Sequence, residues 1–194
     1  MTSTDGPGGR PRRGDAQRNY DRLLAEARTA FAARGVDASL DDIAHSAGVG
    51  SGTLYRHFPT RTDLVEAVFA EAVGSLRARA DRGMTYPDAD VSLREWLVAF
   101  IQHVTLYRGV GAFLMESASD QGRFLGNCHN VIRDSLGDLL DLAQRSGAVR
   151  PGVAVMDLLK LANGIAVATE RSPQDAGRLL DLVLDGIRSH CPPD

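Results

Sequence analysis

Between Ser39 and Phe58 the chain places two short helical segments around a glycine turn, and no other stretch constrains the fold as much. Ile43 and Ala44 fall on the first segment, Gly48 and Val49 at the turn, and Leu54 and Phe58 on the second. Ala44 supplies the small residue needed where two helices cross, and Gly48 supplies a residue tolerant of a left-handed backbone. Val49, Leu54 and Phe58 then fix the angle between the helices. A helical hairpin inside an ordinary bundle shares this spacing. Such a hairpin, however, would have to bury Ser51, Gly52, Thr53, Tyr55, Arg56 and His57, a small polar surface with one bare glycine. A helix that reads double-stranded DNA uses those groups directly, hydroxyls and arginine toward base edges, tyrosine and histidine toward phosphates. The stretch predicts a helix-turn-helix.

The remaining periodicity is also helical. Residues 1–14 hold four glycines and two prolines and are expected to form a disordered leader. Arg10, Arg12 and Arg13 in it are either solvated or an arm that reaches phosphates or a minor groove. Tyr20, Leu23, Leu24, Ala27 and Phe31 mark a first helix that Gly35 ends. Ser39 and Asp42 form a capping-box variant, and Thr60 with Asp63 repeats the device at the head of a long amphipathic helix. After a break at Gly83–Asp90, one stripe runs from Trp96 to Val104, and a short separate helix is expected around Phe113–Met115. Phe124 to Leu142 gives a longer helix, and Val155 to Ile165 another. Ser172 as N-cap and Pro173 at the first helical position open the last, whose apolar face is read as Leu179, Leu182, Val183 and Ile187. No segment alternates with period two over strand length. The expectation is an all-α fold of about nine helices: a DNA-binding domain over 15–62 and a larger helical domain over 63–190.

Charge is distributed to match. The chain carries a net −3, yet residues 1–62 hold nine arginines against seven acids, while residues 63–194 hold thirteen basic and eighteen acidic residues. A mildly basic module in front of an acidic body suits a DNA-facing N-terminal part. No apolar run approaches the roughly 18 residues that span a bilayer, and no apolar signal core follows Met1, so a cytoplasmic protein is expected. Cys128 and Cys191 suggest neither a disulfide framework nor metal-ligand spacing; Cys128 reads as a buried thiol. An enzyme finds no support. His45, His57, His103, His129 and His190 are scattered, and no phosphate-cradling loop or activated nucleophile stands out, so no catalytic group, metal or cofactor is expected. A purely structural helical dimer leaves the polar face of 51–57 unexplained, and a nonspecific nucleoid binder would be more basic.

The run Asp42-Ile-Ala-His-Ser-Ala-Gly-Val-Gly-Ser-Gly-Thr-Leu-Tyr-Arg-His-Phe58, followed by Arg61, Asp63 and Leu64, resembles the N-terminal signature of the TetR family of repressors, without gaps over residues 16–70. The closing part from Arg150 to Ile187 is similar to one common actinobacterial type of C-terminal domain. The resemblance implies a homodimeric repressor that a small-molecule effector releases from a palindromic operator. It implies base or adjacent phosphate contacts for Thr53, Tyr55 and Arg56, and a backbone clamp by His57 and Arg61. The candidate DNA-binding set is Ser39, Ser51, Gly52, Thr53, Tyr55, Arg56, His57 and Arg61. Gly50 and Ser51 depart from the family, which generally has serine or threonine at position 50.

Trp96, Phe100, His103, Tyr107, Phe113, Met115 and Asn127 offer aromatic walls with a few polar groups, suited either to an effector pocket or to plain core packing. A dimer surface on the last two helices would use Leu158, Leu161, Gly164, Ile165, Leu179, Leu182, Val183 and Gly186, some of which must pack within the monomer instead. The helix from Thr60 to Arg79 is expected to link effector and DNA sites.

Overall fold

Caps and glycine turns divide the chain into helices. The computed structural model describes residues 13–116 and 121–188, less the side chains at 13, 108, 111–112, 115–116 and 121–122. Helix α1 spans Arg13–Arg34, α2 Leu40–Ser46, α3 Ser51–His57 and α4 Arg61–Gly83. Helix α5 spans Ala89–Glu116, α6 Gln121–Arg145, α7 Val155–Ala168 and α8 Ala176–Ile187, the last preceded by a 3₁₀ turn at Pro173–Asp175. Among the described residues there is no strand, only an isolated bridge between Val149 and Arg188. Most of the expected leader, residues 1–12, lies outside the described residues, and α1 has already begun at Arg13. No described helix is long and apolar enough to cross a membrane.

The expected caps form at two of three places. The Ser39 hydroxyl accepts from the Asp42 amide at 3.2 Å. Thr60 and Asp63 cap reciprocally: the Asp63 carboxylate accepts from the Thr60 amide at 2.8 Å, and Thr60 Oγ1 accepts from the Asp63 amide at 3.1 Å. Ser172 makes no side-chain cap. Proline begins the 3₁₀ turn there, and α8 proper starts three residues later than expected. The short helix expected around Phe113–Met115 follows a kink in α5 at Tyr107, whose backbone (φ −108°, ψ 17°) is not helical and sets the last part of α5 off from the rest.

The described residues form two units, one up to Val68 and one from Phe69 onward. In the first, α1 packs on α2 and α2 on α3 around Leu23, Ala27, Ile43, Ala44, Leu54 and Leu64, all at most 1% exposed. In the second, α5 lies against α6, α7 and α8. Its centre is Trp96, whose indole N–H donates to the Leu76 carbonyl at 3.0 Å. Arg77–Asp138 and Arg94–Asp181 ion pairs of 2.7 and 2.6 Å join α4 to α6 and α5 to α8. Cys128 is buried on α6, and Cys191 lies outside the described residues.

Helix α8 corrects a further expectation. Its buried side chains are Leu180, Leu184 and Ile187, while Leu182 is 60% exposed. Of the apolar face expected for α8, Ile187 points inward and Leu182 outward. The helix is apolar on two faces, and a single-stripe reading mixed them.

Candidate functional site

Helix α3 is placed by what lies beneath it. Gly48 adopts φ +67°, a conformation that costs a side-chain-bearing residue about 1 kcal/mol or more, and the turn closes with the Val49 amide donating to the Ala44 carbonyl at 3.0 Å. Leu54 is fully buried and Phe58 is 3% exposed, so only the opposite face of α3 meets solvent. That face carries Gly52, Tyr55 and Arg56, all exposed, with Thr53 and Ser51 half-buried beside them. Tyr55 is 47% exposed, an aromatic ring presented to solvent on that face. An added Cβ at Gly52 would meet nothing within 4 Å, so the glycine keeps that part of the helix surface bare.

Three members of the candidate set are tied down. Ser51 donates its hydroxyl to the Asp41 carboxylate at 2.6 Å, coupling the heads of α3 and α2. His57 packs edge-on against Tyr20 of α1, with centroids 5.9 Å apart. Arg61 is half-buried and donates to the backbone carbonyls of Val36 and Ala38, each at 2.6 Å. It therefore braces the α1–α2 loop, a role that nothing in the sequence at positions 36–38 announces. Ser39, exposed, uses its hydroxyl as the cap of α2. Gly50 is the N-cap of α3 and offers no side-chain bond, as its departure from the family pattern implies.

In the second unit a cavity of about 750 Å³ opens beside α5. Its floor is aromatic: Phe100, His103 and Tyr107 of α5, together with Phe69 of α4, are each at most 8% exposed. Phe69 and His103 centroids lie 5.2 Å apart, and His103 and Tyr107 centroids 5.0 Å apart. Among the described residues the His103 Nδ1 atom is buried with no hydrogen-bond partner. Burial pushes the His103 pKa down to about 4, so the imidazole is neutral at pH 7. The rim is polar, with His129, Asn130 and Arg133 from α6 and Lys160 and Asn163 from α7.

Three expected cavity residues are thus in the lining, Phe100, His103 and Tyr107, and the others are not. Trp96 is a core residue, 0% exposed, that reaches the cavity only by stacking on Phe100 at 5.5 Å. Phe113 is half-buried away from the lining, and the Met115 side chain lies outside the described ones. Asn127 is exposed; the asparagine at the rim is Asn130, nearly one helical turn further along α6. The polar rim was missed because its residues come from two helices far apart in sequence. The signal available was the spacing of Met156, Leu159, Lys160, Asn163 and Val167 on one face of α7.

The expected dimer residues also divide. Leu158 and Ile165 are buried within the unit, 2% and 8% exposed. Leu161, Gly164, Leu182 and Gly186 face outward, with Leu179 and Val183 half-buried.

Residues 23–68 match the family described as bacterial regulatory proteins, tetR family, and residues 88–189 match the SbtR-like transcriptional regulator C-terminal domain. The HTH-type transcriptional repressor KstR2 of Mycolicibacterium smegmatis is 45% identical over 60 residues, which are 30% of this chain and 29% of KstR2. The crystal structure of the TetR transcriptional regulator SCO0520 from Streptomyces coelicolor matches with TM-score 0.77 at 36% identity, covering 88% of this chain and 99% of that one. A TetR transcription regulatory protein from Mycobacterium vanbaalenii matches with TM-score 0.74 at 31% identity, over 92% of this chain and 99% of its own. The chain therefore spans less than a third of KstR2 but nearly all of both solved structures. With both of its units matched and two relatives above 30% identity along almost their full length, the chain belongs to the TetR family of DNA-binding transcriptional regulators.

Proposed function

We propose that the chain is a homodimeric cytoplasmic repressor whose hold on a palindromic operator is released when a small molecule occupies the cavity beside α5. The observation that carries the DNA-reading part is the exposed face of α3. On this reading Thr53, Tyr55 and Arg56 meet base edges or adjacent phosphates and His57 the backbone, which the exposure of Tyr55 and Arg56 supports. Two such helices in a symmetric dimer would fall one DNA turn apart, roughly 34 to 36 Å. The dimer surface would be the outward faces of α7 and α8, with Leu161, Gly164, Leu179, Leu182, Val183 and Gly186. Release requires that the ligand bind more tightly to a state with misplaced reading helices than to the operator-bound state. Helix α4 suits the link, since it carries both Arg61, which braces the first unit, and Phe69, which lines the cavity.

Selection of sites from random DNA tests the reading, and a short enriched palindrome is the expected result. On that palindrome, Tyr55→Ala should weaken binding across sequences and reduce its salt dependence, as loss of a phosphate contact does. Arg56→Ala should cost about 1 to 3 kcal/mol at the base pair it reads. No enrichment, or unchanged affinity in both variants, would sink the assignment of α3.

A further inference from the structure

The cavity is graded from an apolar floor to a cationic rim. Phe69, Phe100, His103 and Tyr107 at its floor are buried, while Arg133 and Lys160 at its rim are exposed. Lys160 is the one lysine of the whole sequence. No Asp or Glu is among the described lining residues, although residues 63–194 carry eighteen acids against thirteen bases. The buried Nδ1 of His103 adds a polar atom that nothing described in the protein satisfies. Orphaned buried polar groups are costly, so a partner that completes the bonding is stabilised there.

We propose that the cavity binds an amphipathic anion, an apolar body lying on the aromatic floor with a carboxylate-type head held at the rim by Lys160 and Arg133. A cationic ligand would meet two like charges, with Asp134, which pairs with Arg133 at 3.3 Å from outside the lining, as the counterion beside them. A neutral one would leave the Lys160 ammonium unused. The neutral imidazole of His103 offers one donor and one acceptor, so it would bond a hydroxyl or carbonyl along the apolar body rather than the anionic head. Amide groups of Asn130 and Asn163 add donors beside the two cations. This inference rests on the reading of the cavity as the effector site.

The test uses three probes with the same ten-carbon body, decanoate, 1-decanol and decylamine, titrated against the full chain. Trp96, the chain's one tryptophan, stacks on the cavity residue Phe100 and reports occupancy by its fluorescence, with calorimetry as a second readout. Decanoate should bind about tenfold tighter than decylamine and tighter than decanol, as a charge-assisted contact gives. In the Lys160→Met/Arg133→Met double variant the preference for decanoate over decanol should collapse. Both side chains are exposed, and a melting curve checks the fold of the variant. Decylamine binding as well as decanoate to the unmodified protein overturns the proposal without any variant. So does a decanoate preference that survives in a folded double variant. Operator affinity is measured in the same decanoate titration. Tight decanoate binding with no loss of DNA affinity would overturn the regulatory reading while leaving the ligand class standing, so the two failures are distinguishable.

Discussion

His103 shows how one side chain is bent by its surroundings. Phe69, Phe100 and Tyr107 surround it, and burial lowers its pKa from 6.5 to about 4. Above pH 6.5 the residue is neutral in both folded and unfolded chains, and below pH 4 it is charged in both. Between those values the unfolded chain binds the extra proton, so acidification favours unfolding. The contribution is fully present above pH 6.5 and lost as the pH falls to 4. A shift of this size is worth roughly 3 kcal/mol across that window. Urea unfolding of the wild type and of His103→Leu at pH 7 and pH 4 checks it. The wild type should lose roughly 3 kcal/mol more than the variant between the two pH values, whereas equal losses would show that the ring is charged in the fold.

At the scale of elements, α3 is a seven-residue helix held by a turn and two buried side chains rather than by its own cap. Gly50 has cap geometry (φ −75°, ψ 151°) and open space beside it, with nothing within 4 Å of an added Cβ. Gly50→Ser should therefore give the N-terminal amides of α3 an acceptor and remove backbone freedom from the unfolded chain. Together these are worth about 1 kcal/mol, and amide exchange over 51–57 should slow about fivefold. Unslowed exchange would mean that the Ser51–Asp41 contact already supplies what a cap would add. The elements themselves were legible because caps and left-handed glycines are local: Ser39, Thr60, Asp63 and Gly48 act on amides and carbonyls within four residues. The brace from Arg61 to Val36 and Ala38 spans 25 and 23 residues and leaves no local mark. The cavity lay between these cases. Its floor on α5 followed from one aromatic stripe, but its rim depends on how α6 and α7 face each other, which no single helix encodes.

At the scale of the whole molecule, the outward side of α7 and α8 exposes apolar surface on an acidic unit. Leu161 and Leu182 are 46% and 60% exposed, and neither lines the cavity. Gly164 lies one turn from Leu161, and Gly186 one turn from Leu182, so a neighbouring helix could approach both faces closely. The inward positions of the same helices, Leu158, Ile165, Leu180 and Leu184, are already buried. A helix with apolar residues on both sides covers one side with its own chain and needs a second partner for the other. A specific interface buries about 800 Å² on each partner, more than two leucines supply, so Leu179 and Val183 and the flanking polar groups must join it. The proposed homodimer makes a joint prediction for mass and DNA affinity. Leu161→Glu/Leu182→Glu should halve the mass seen by light scattering while each unit keeps its helical signal, since neither side chain packs inside the monomer. Operator affinity should fall by roughly 10² to 10⁴-fold, the gain that linking two half-site contacts provides. A wild type that runs as a monomer would refute the dimer outright. A variant that stays dimeric would place the interface on another surface, and a monomeric variant with full operator affinity would show that one reading helix suffices.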